Sequence, residues 1–350
     1  MSRCSFGDRA SDRHLCQSLV DWFGLFARDL PWRSGRSAYA ALVSEAMLQQ
    51  TQVSRVVDRF NQFMKRFPDV ESLAAAEQME VLAMWQGLGY YSRARNLHQA
   101  ARVIMDRFEG VIPSCPEQLQ SLPGVGRYTA GAIASIVFDR PEPIVDGNVQ
   151  RVLMRLHARR GEQSGSANIN WTWKRAAELV GTTDDPAAFN EGLMELGATV
   201  CSRNSPSCDS CPLADHCRSL EAGMVDSIPR PRKRAARTAL HQYCVVFRRR
   251  DKLLLQQRAG KGLWANMWEV PTIESRTRIS SESIVDRFPV PLVDIERIDR
   301  FVHRTTHRDV TFHVYRGSTR QRSGHWHDIG HLDEVPLSNP QRRLIAAVLD

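Results

Sequence analysis

LPGVGRYTAGAIASIVFDRPEPIVDGNV, residues Leu122–Val149, is the stretch on which the reading of this chain turns. It opens with Pro123-Gly124-Val125-Gly126, whose two glycines suit a sharp bend and a close approach of backbone to a ligand. A helix of small residues is expected from about Tyr128 to Phe138, starting at that turn. Two helices joined in this way leave backbone N–H groups pointing outward, where a phosphate can sit. Pro141 and Pro143 stop the helix, and the chain then delivers Asp146 within Ile144-Val145-Asp146-Gly147-Asn148. An Asp at that position also suits capping of a following helix from about Val149, so the stretch alone leaves a structural and a chemical role open.

On either side of this stretch the pattern stays helical. Apolar periodicity predicts helices over 12–29, over 39–63 with a break at Gln49-Gln50-Thr51, in two short pieces over 67–84, and over 93–108. Further helices are expected at 149–159, 171–180 and 185–200, with no clear strand pattern before 225. Residues 228–238 (IPRPRKRAART) combine two prolines with five basic residues, which suits a solvated linker or a contact with DNA. Strand-like runs follow at 243–247, 252–257, 297–303 and 310–315, and an amphipathic helix at 341–349 closes the chain. The expectation is an all-α domain over 1–227, a basic linker over 228–238 and a smaller α+β domain over 239–350, two cores that 350 residues can supply.

The net charge of +8, carried mostly by Arg, favours an anionic partner, and Arg suits bidentate phosphate contacts. No apolar run is long enough to span a bilayer, and the first residues, MSRCSFGDRASDRH, have no signal-peptide core. A cytosolic protein with reduced thiols and no membrane partner is therefore expected, and its eight cysteines read as metal ligands or free thiols. Cys201, Cys208, Cys211 and Cys217 form C-x6-C-x2-C-x5-C and can converge on one ion or cluster without help from elsewhere in the fold. Thiolate chemistry alone leaves zinc and an iron–sulfur cluster both open. Cys4, Cys16, Cys115 and Cys244 are scattered and read as free thiols.

Taken together, the glycine-turn hairpin near 116–138, the Asp some twenty residues beyond its turn and the cysteine loop over 201–217 resemble the helix-hairpin-helix DNA glycosylases. Within that superfamily the chain resembles the MutY-type adenine glycosylases. The resemblance runs through VSEAMLQQTQV (43–53), WQGLGYYSRARNLH (85–98), LPGVGRYTA (122–130), VDGNVQRV (145–152) and FNEGLMELGATVC (189–201). The C-terminal part is similar to the Nudix-like recognition domain of the same family, through Gly262-Leu263-Trp264, Trp268-Glu269-Val270-Pro271 and the loop from His303 to His307.

The resemblance implies a [4Fe–4S] cluster on the four cysteines and an enzyme that cuts the N-glycosidic bond of adenine. That reaction needs the leaving base protonated and the sugar's developing charge stabilised, a task for two carboxyls in different environments. Glu45 sits in an apolar run, where desolvation raises a carboxyl pKa as a general acid requires. By resemblance Glu45 protonates the base, Asp146 stabilises the sugar, and Tyr128 and Asn148 support them. Relatives that also nick the strand carry Lys where this chain has Tyr128, and no Lys occurs between Lys65 and Lys174, so a Schiff-base nucleophile is absent. A monofunctional hydrolase is expected. Because the base must leave the duplex, the resemblance nominates Gln50 and Tyr90 as wedges beside Leu48 and Thr51. Trp32, Arg33 and Glu191 would line the base pocket, with Gly124 and Gly126 on a backbone phosphate.

A pyrophosphate-cleaving Nudix enzyme needs a Glu-rich metal-binding helix, and TIESRTRISSESIVDRF after Pro271 does not supply one. In the family this domain reads 8-oxoguanine through a Phe-Ser-His loop. Here Thr305, Thr306 and His307 stand in the corresponding places, so the hydroxyl and the imidazole are kept and the Phe is absent. The expected partner is duplex DNA with an adenine:8-oxoguanine mispair, bound by a monomer. An endonuclease III-like lyase acting on oxidised pyrimidines and a non-catalytic iron–sulfur DNA-binding protein are the rival readings.

Overall fold

The structure, a computed structural model, describes residues 9–231 and 236–349, apart from the side chains of 281 and 282. Cys4 and the middle of the basic segment, 232–235, lie outside the described residues. The chain divides into two compact units, one of Met1–Ala74 with Gln99–Lys233 and one of Ala75–His98 with Arg234–Asp350.

The first unit is helical. Its elements begin with α1 (Arg9–Phe26), α2 (Ala38–Leu48), α3 (Val53–Arg66) and α4 (Val70–Ala75). The short α5 (Gln78–Met84) and the first half of α6 (Ser92–Phe108) fall in the second unit. Then come α7 (Pro116–Gln120), α8 (Arg127–Phe138), α9 (Gly147–Leu156), α10 (Ser166–Val180), α11 (Pro186–Thr199) and α12 (Arg218–Glu221). α3 shows the local logic: Val56, Phe60 and Phe63 recur on one face and are buried, while Arg55 and Asp58 face water. The break expected at Gln49-Gln50-Thr51 is present, and Gln50 takes a left-handed conformation (φ 57°) between α2 and α3.

α8 sits at the centre of this unit, against α2, α7 and α11. Its run Thr129–Ser135 is buried throughout, and the small residues let neighbouring backbone come close. A Cβ at Gly131 would lie 2.5 Å from the Pro143 carbonyl oxygen, so this glycine is required by the segment that leads to Asp146. α11 packs on α1, α8 and α9. Leu15, Leu19, Val149, Leu153, Leu179, Phe189, Leu193 and Leu196 form the adjoining core.

The second unit is built on a mixed sheet of β1 (Thr238–Arg249), β2 (Lys252–Gln257), β3 (Trp268–Glu269), β4 (Thr272–Ser275), β5 (Asp294–Arg304), β6 (Arg308–Ser318) and β7 (His325–Asp328). The strand order is β3-β2-β1-β6-β5, with β4 on β1 and β7 on β2; β1 and β6 run parallel. Alternation along β1 explains the layers. Leu240, Cys244 and Val246 join one apolar cluster with Leu344, Ile345 and Val348 of α14 (Asn339–Leu349). Tyr243, Val245 and Phe247 join the other, with Ile284 and Phe288 at α13 (Ser281–Arg287). β3, β4, β7 and α13 were not legible from the sequence. These strands are two to four residues long, and segments such as HWHD carry no apolar alternation. Their backbone groups are satisfied by pairing with β1 and β2, a tertiary event.

Gly131→Ala should destabilise the protein by about 1–3 kcal/mol through overpacking against Pro143, read as a lowered midpoint in thermal or urea denaturation.

Candidate active site

In the helical unit, α2, α8, α9 and α11 enclose a cavity of about 710 Å³. Trp32, Arg33, Glu45, Leu48, Gln50, Thr51, Gly124, Gly126, Tyr128, Asp146, Asn148 and Glu191, all singled out from the sequence, line it.

Glu45 stands on α2 and is 8% exposed. Burial, above all, lifts its carboxyl to about 7; the hydrogen bond from Tyr128 opposes the rise, and the neighbouring Asp146 and Glu191 charges add to it. Tyr128, at the first turn of α8, shares its hydroxyl between Glu45 and the Met194 sulfur at 3.3 Å. Desolvation and the two carboxyls push the Tyr128 phenol well above its ordinary pKa, so it is a donor.

Asp146 is the N-cap of α9, with Oδ1 accepting from the Val149 N–H at 2.7 Å and Oδ2 from the Asn148 amide at 3.0 Å. The capping role and the position in the cavity therefore coexist. Burial raises the Asp146 pKa, while the backbone N–H groups of Val149 and Asn148, the Arg151 charge and the Asn148 amide hold the rise back. Asn148 Oδ1 in turn accepts from Arg151, which also donates to the carbonyls of Gly197 at 2.7 Å and Cys201 at 2.9 Å. A Cβ at Gly197 would lie 2.7 Å from the Asn148 Cβ, so α11 meets the start of α9 through a glycine.

On the α11 wall Arg33 donates to Glu191 at 3.0 Å and to Glu195 at 3.0 Å. Arg36 holds the second Glu191 oxygen at 3.2 Å. Arg28, Met194 and Glu195 are cavity residues that sequence reasoning missed. Glu195 follows Glu191 by one helical turn, a spacing that does mark a shared face. Arg28 and Met194 carry no such signal.

The hairpin turn lies between α7 and α8. Gly124 has φ 79°, a left-handed conformation open to glycine, and Gly126 precedes α8 with nothing within 4 Å of a would-be Cβ. The first-turn N–H groups of α8 start there.

Cys201, Cys208, Cys211 and Cys217 line one small apolar-walled space with Val200, Leu220 and Val225. Among the described residues no three ligand-type side chains converge on a point that would hold a single metal ion. Burial, then mutual repulsion between the sulfurs, raises the thiols of Cys208 and Cys217; burial carries Cys211 to about 11. Arg155, 2% exposed, spans the loop, donating to the carbonyls of Ser202, Arg203, Val225 and Ile228 and to the Cys201 sulfur at 3.4 Å.

The second unit holds the remaining nominated residues. Tyr90 takes a left-handed conformation (φ 47°) just after two positive-φ glycines, Gly87 and Gly89, is half-exposed, and its hydroxyl is hydrogen-bonded to the Thr306 hydroxyl. It is not core packing. The Arg93 guanidinium lies 5.5 Å from the Tyr90 ring and donates to the Leu88 and Gly89 carbonyls. Thr305 closes the β5–β6 turn, its hydroxyl donating to the Arg308 carbonyl and accepting from the Arg308 N–H, both at 3.0 Å. His307 is exposed, and its carbonyl accepts from the Thr238 N–H. Glu269 and Glu274 are both engaged by Arg258, at 2.5 and 2.6 Å.

Comparison with known proteins follows this division. Residues 43–175 match the family described as HhH-GPD superfamily base excision DNA repair protein, and residues 242–347 match the NUDIX domain. An adenine DNA glycosylase of Mus musculus is 35% identical over 369 residues, covering 89% of this chain and 72% of the relative. One from Mycolicibacterium smegmatis is 44% identical over 207 residues, covering 59% of this chain and 69% of the relative. Among solved structures, a thermostable thymine-DNA glycosylase aligns with TM-score 0.54 and 26% identity, covering 61% of this chain and 100% of that one. A non-covalent endonuclease III–DNA complex shares the fold, with TM-score 0.52 over 63% of this chain and 99% of that one.

Glu45 has a folded pKa of about 7 against an ordinary 4.5, so its ionisation opposes folding. Its contribution is fully present below pH 4.5 and lost as pH rises through 7. Glu45→Gln should therefore stabilise the protein by ~3 kcal/mol at pH 8 and by little at pH 4, measured by denaturation at both pH values.

Proposed function

The chain belongs to the MutY-type adenine DNA glycosylases of base excision repair, and from that premise we propose that it hydrolyses the N-glycosidic bond of adenine mispaired with 8-oxoguanine, and with guanine. The observation that carries the reading is one cavity lined by two carboxyls in different surroundings, Glu45 raised to about 7 and Asp146 held by capping amides. At neutral pH Glu45 is a working general acid, able to give its proton to a ring nitrogen of the departing purine. Tyr128, on the same carboxyl, orients that proton. Asp146 faces the sugar carbon as positive charge develops there, stabilising it electrostatically or by a transient ester. Asn148 and the Val149 N–H fix its direction. Trp32 and Leu48 supply apolar walls, and Glu191 offers acceptors to the exocyclic amino group.

The α8 N-terminus and the Gly124–Gly126 turn suit a phosphate of a duplex partner. Gln50, with Thr51 beside it, and Tyr90 are the side chains proposed to fill the gap left by the extruded base. Thr306 and His307, at the tip of the β5–β6 hairpin, are proposed to read the 8-oxoguanine. Thr305 satisfies the turn with its hydroxyl, a local reason for its presence where the family has Phe. A monomer in the cytosol completes the proposal. Tyr128 in place of a Schiff-base Lys supports hydrolysis without strand nicking.

The four thiols fit a [4Fe–4S] group: the donor set is all sulfur, and it lines the walls of one space. Cys201, Cys208, Cys211 and Cys217 would hold it, and its cationic irons would supply the charge that displaces protons from thiols raised by burial and repulsion. Arg155 orders the intervening backbone. Arg155→Lys, which cannot make the same set of contacts, should lower the iron content of purified protein and raise the loop's protease sensitivity. Full iron occupancy and unchanged cleavage would remove Arg155 from the assembly of the site.

The function is tested with duplexes carrying adenine opposite 8-oxoguanine, guanine or thymine, analysed with and without hot alkali. Cleavage only after alkali, fastest opposite 8-oxoguanine and declining as pH rises through about 7, is the expected result. Cleavage without alkali refutes the hydrolytic reading. Failure to release adenine from any duplex by protein with full iron content leaves the DNA-binding reading in its place.

A further inference from the structure

Glu195 is the one carboxylate of the cavity wall that the proposed reaction does not use. Its side chain is 1% exposed. Burial alone would push its pKa up, yet the bonds from Arg28 and Arg33 carry it below the ordinary range, so it is ionised. Oε1 accepts from Arg28 Nε at 2.5 Å and from the Arg28 backbone N–H at 3.3 Å; Oε2 accepts from Arg28 Nη2 at 3.0 Å and Arg33 Nη2 at 3.0 Å. Arg33 Nη1 closes the loop onto the Arg28 carbonyl at 2.8 Å. One side chain of α11 thereby ties down the segment between α1 and α2 that carries Trp32 and Arg33. At its base α11 packs closely on α1 through Gly192, where a Cβ would lie 3.1 Å from the Leu19 side chain.

The arrangement reaches the base pocket through Arg33. Its Nε is spent on Glu191 Oε1 at 3.0 Å, so the guanidinium bridges the two glutamates. Each carboxylate oxygen has two lone pairs, and Glu191 has one donor on each oxygen, from Arg33 and Arg36. Acceptor capacity is left over toward the cavity. An acceptor there matches the exocyclic amino group of adenine and rejects a purine that offers no donor at that position, because a buried carboxylate lone pair would stay unpaired.

We propose that Glu195 is a positioning residue that sets the base selectivity of the pocket: it fixes Arg33, and through Arg33 the orientation of the Glu191 carboxylate that receives the amino group. The proposal rests on the adenine-glycosylase reading above. Glu195 itself touches no substrate. Replacing one of its oxygens with an amide nitrogen sets a donor against a guanidinium N–H and releases one of the two arginines.

Single-turnover base release is measured for wild type and Glu195→Gln on duplexes with adenine, or with purine lacking the amino group, opposite 8-oxoguanine. Duplex affinity, melting temperature and iron content are measured on the same samples. The expected result is an adenine rate reduced by tenfold or more, in keeping with the ~100-fold effect of an ångström-scale misplacement, with a smaller loss on unsubstituted purine and little change in duplex affinity. The adenine-to-purine ratio thus falls toward one. Equal losses on both bases, which a merely structural role produces, overturn the proposal, as does an unchanged ratio. Should the amide variant fail to fold, Glu195→Asp, which keeps the charge and shortens the reach, takes its place, and an unchanged ratio there also overturns it. Wild-type protein that releases no adenine refutes the parent reading; an active wild type with an indifferent Glu195 variant refutes this one alone.

Discussion

A carboxylate taken out of water must be given donors in exchange, or it takes up a proton. The helical unit handles its buried acids in three ways, and its cavity depends on the difference. Glu45 has a single hydroxyl partner and so sits near neutrality in pKa. Asp146 receives a helix N-terminus, where two backbone N–H groups and the Asn148 amide replace the lost water. Glu191 and Glu195 receive guanidinium groups. A carboxyl poised near neutrality, a capped carboxylate and two ion-paired ones thereby share one cavity wall.

Two arginines of α9 extend this order beyond the cavity. Arg151 links the Asn148 side chain to the Gly197 and Cys201 carbonyls, while Arg155 holds the carbonyls around the cysteine loop. The helix whose N-terminus fixes Asp146 is therefore the same one on which the four-cysteine segment is hung. Both guanidiniums are buried, and removal of either would leave several carbonyls without donors at once.

The second unit solves a different problem, the presentation of two exposed hydroxyl-bearing side chains. Tyr90 projects from the end of a glycine-containing loop held by Arg93, and Thr306 from a turn closed by Thr305. Strained backbone at an exposed tyrosine is tolerated because the two carbonyls just before it, of Leu88 and Gly89, are bonded by Arg93. In the Nudix-like sheet the buried Glu269 is spent on Arg258 and Gln256.

The amino-acid sequence by itself determined the helical unit, the hairpin turn, the four-thiol loop and the positions of Glu45, Asp146 and Tyr128, because each depends on local spacing: glycines at a bend, prolines after a helix, apolar residues at helical period. It also carried the family resemblance. Arg28 and Met194 left no mark in it, Glu195 left only its helical spacing from Glu191, and β3, β4, β7 and α13 were not legible. Their roles come from partners far along the chain, such as Glu195 against Arg28 across 167 residues, or β7 against β2. A pKa near 7 for Glu45 was anticipated in direction from its apolar neighbours, but its size was decided by the closing of α8 and α11 around it. Spacing along a chain encodes local conformation; only packing decides how much water each charge loses, and what replaces it.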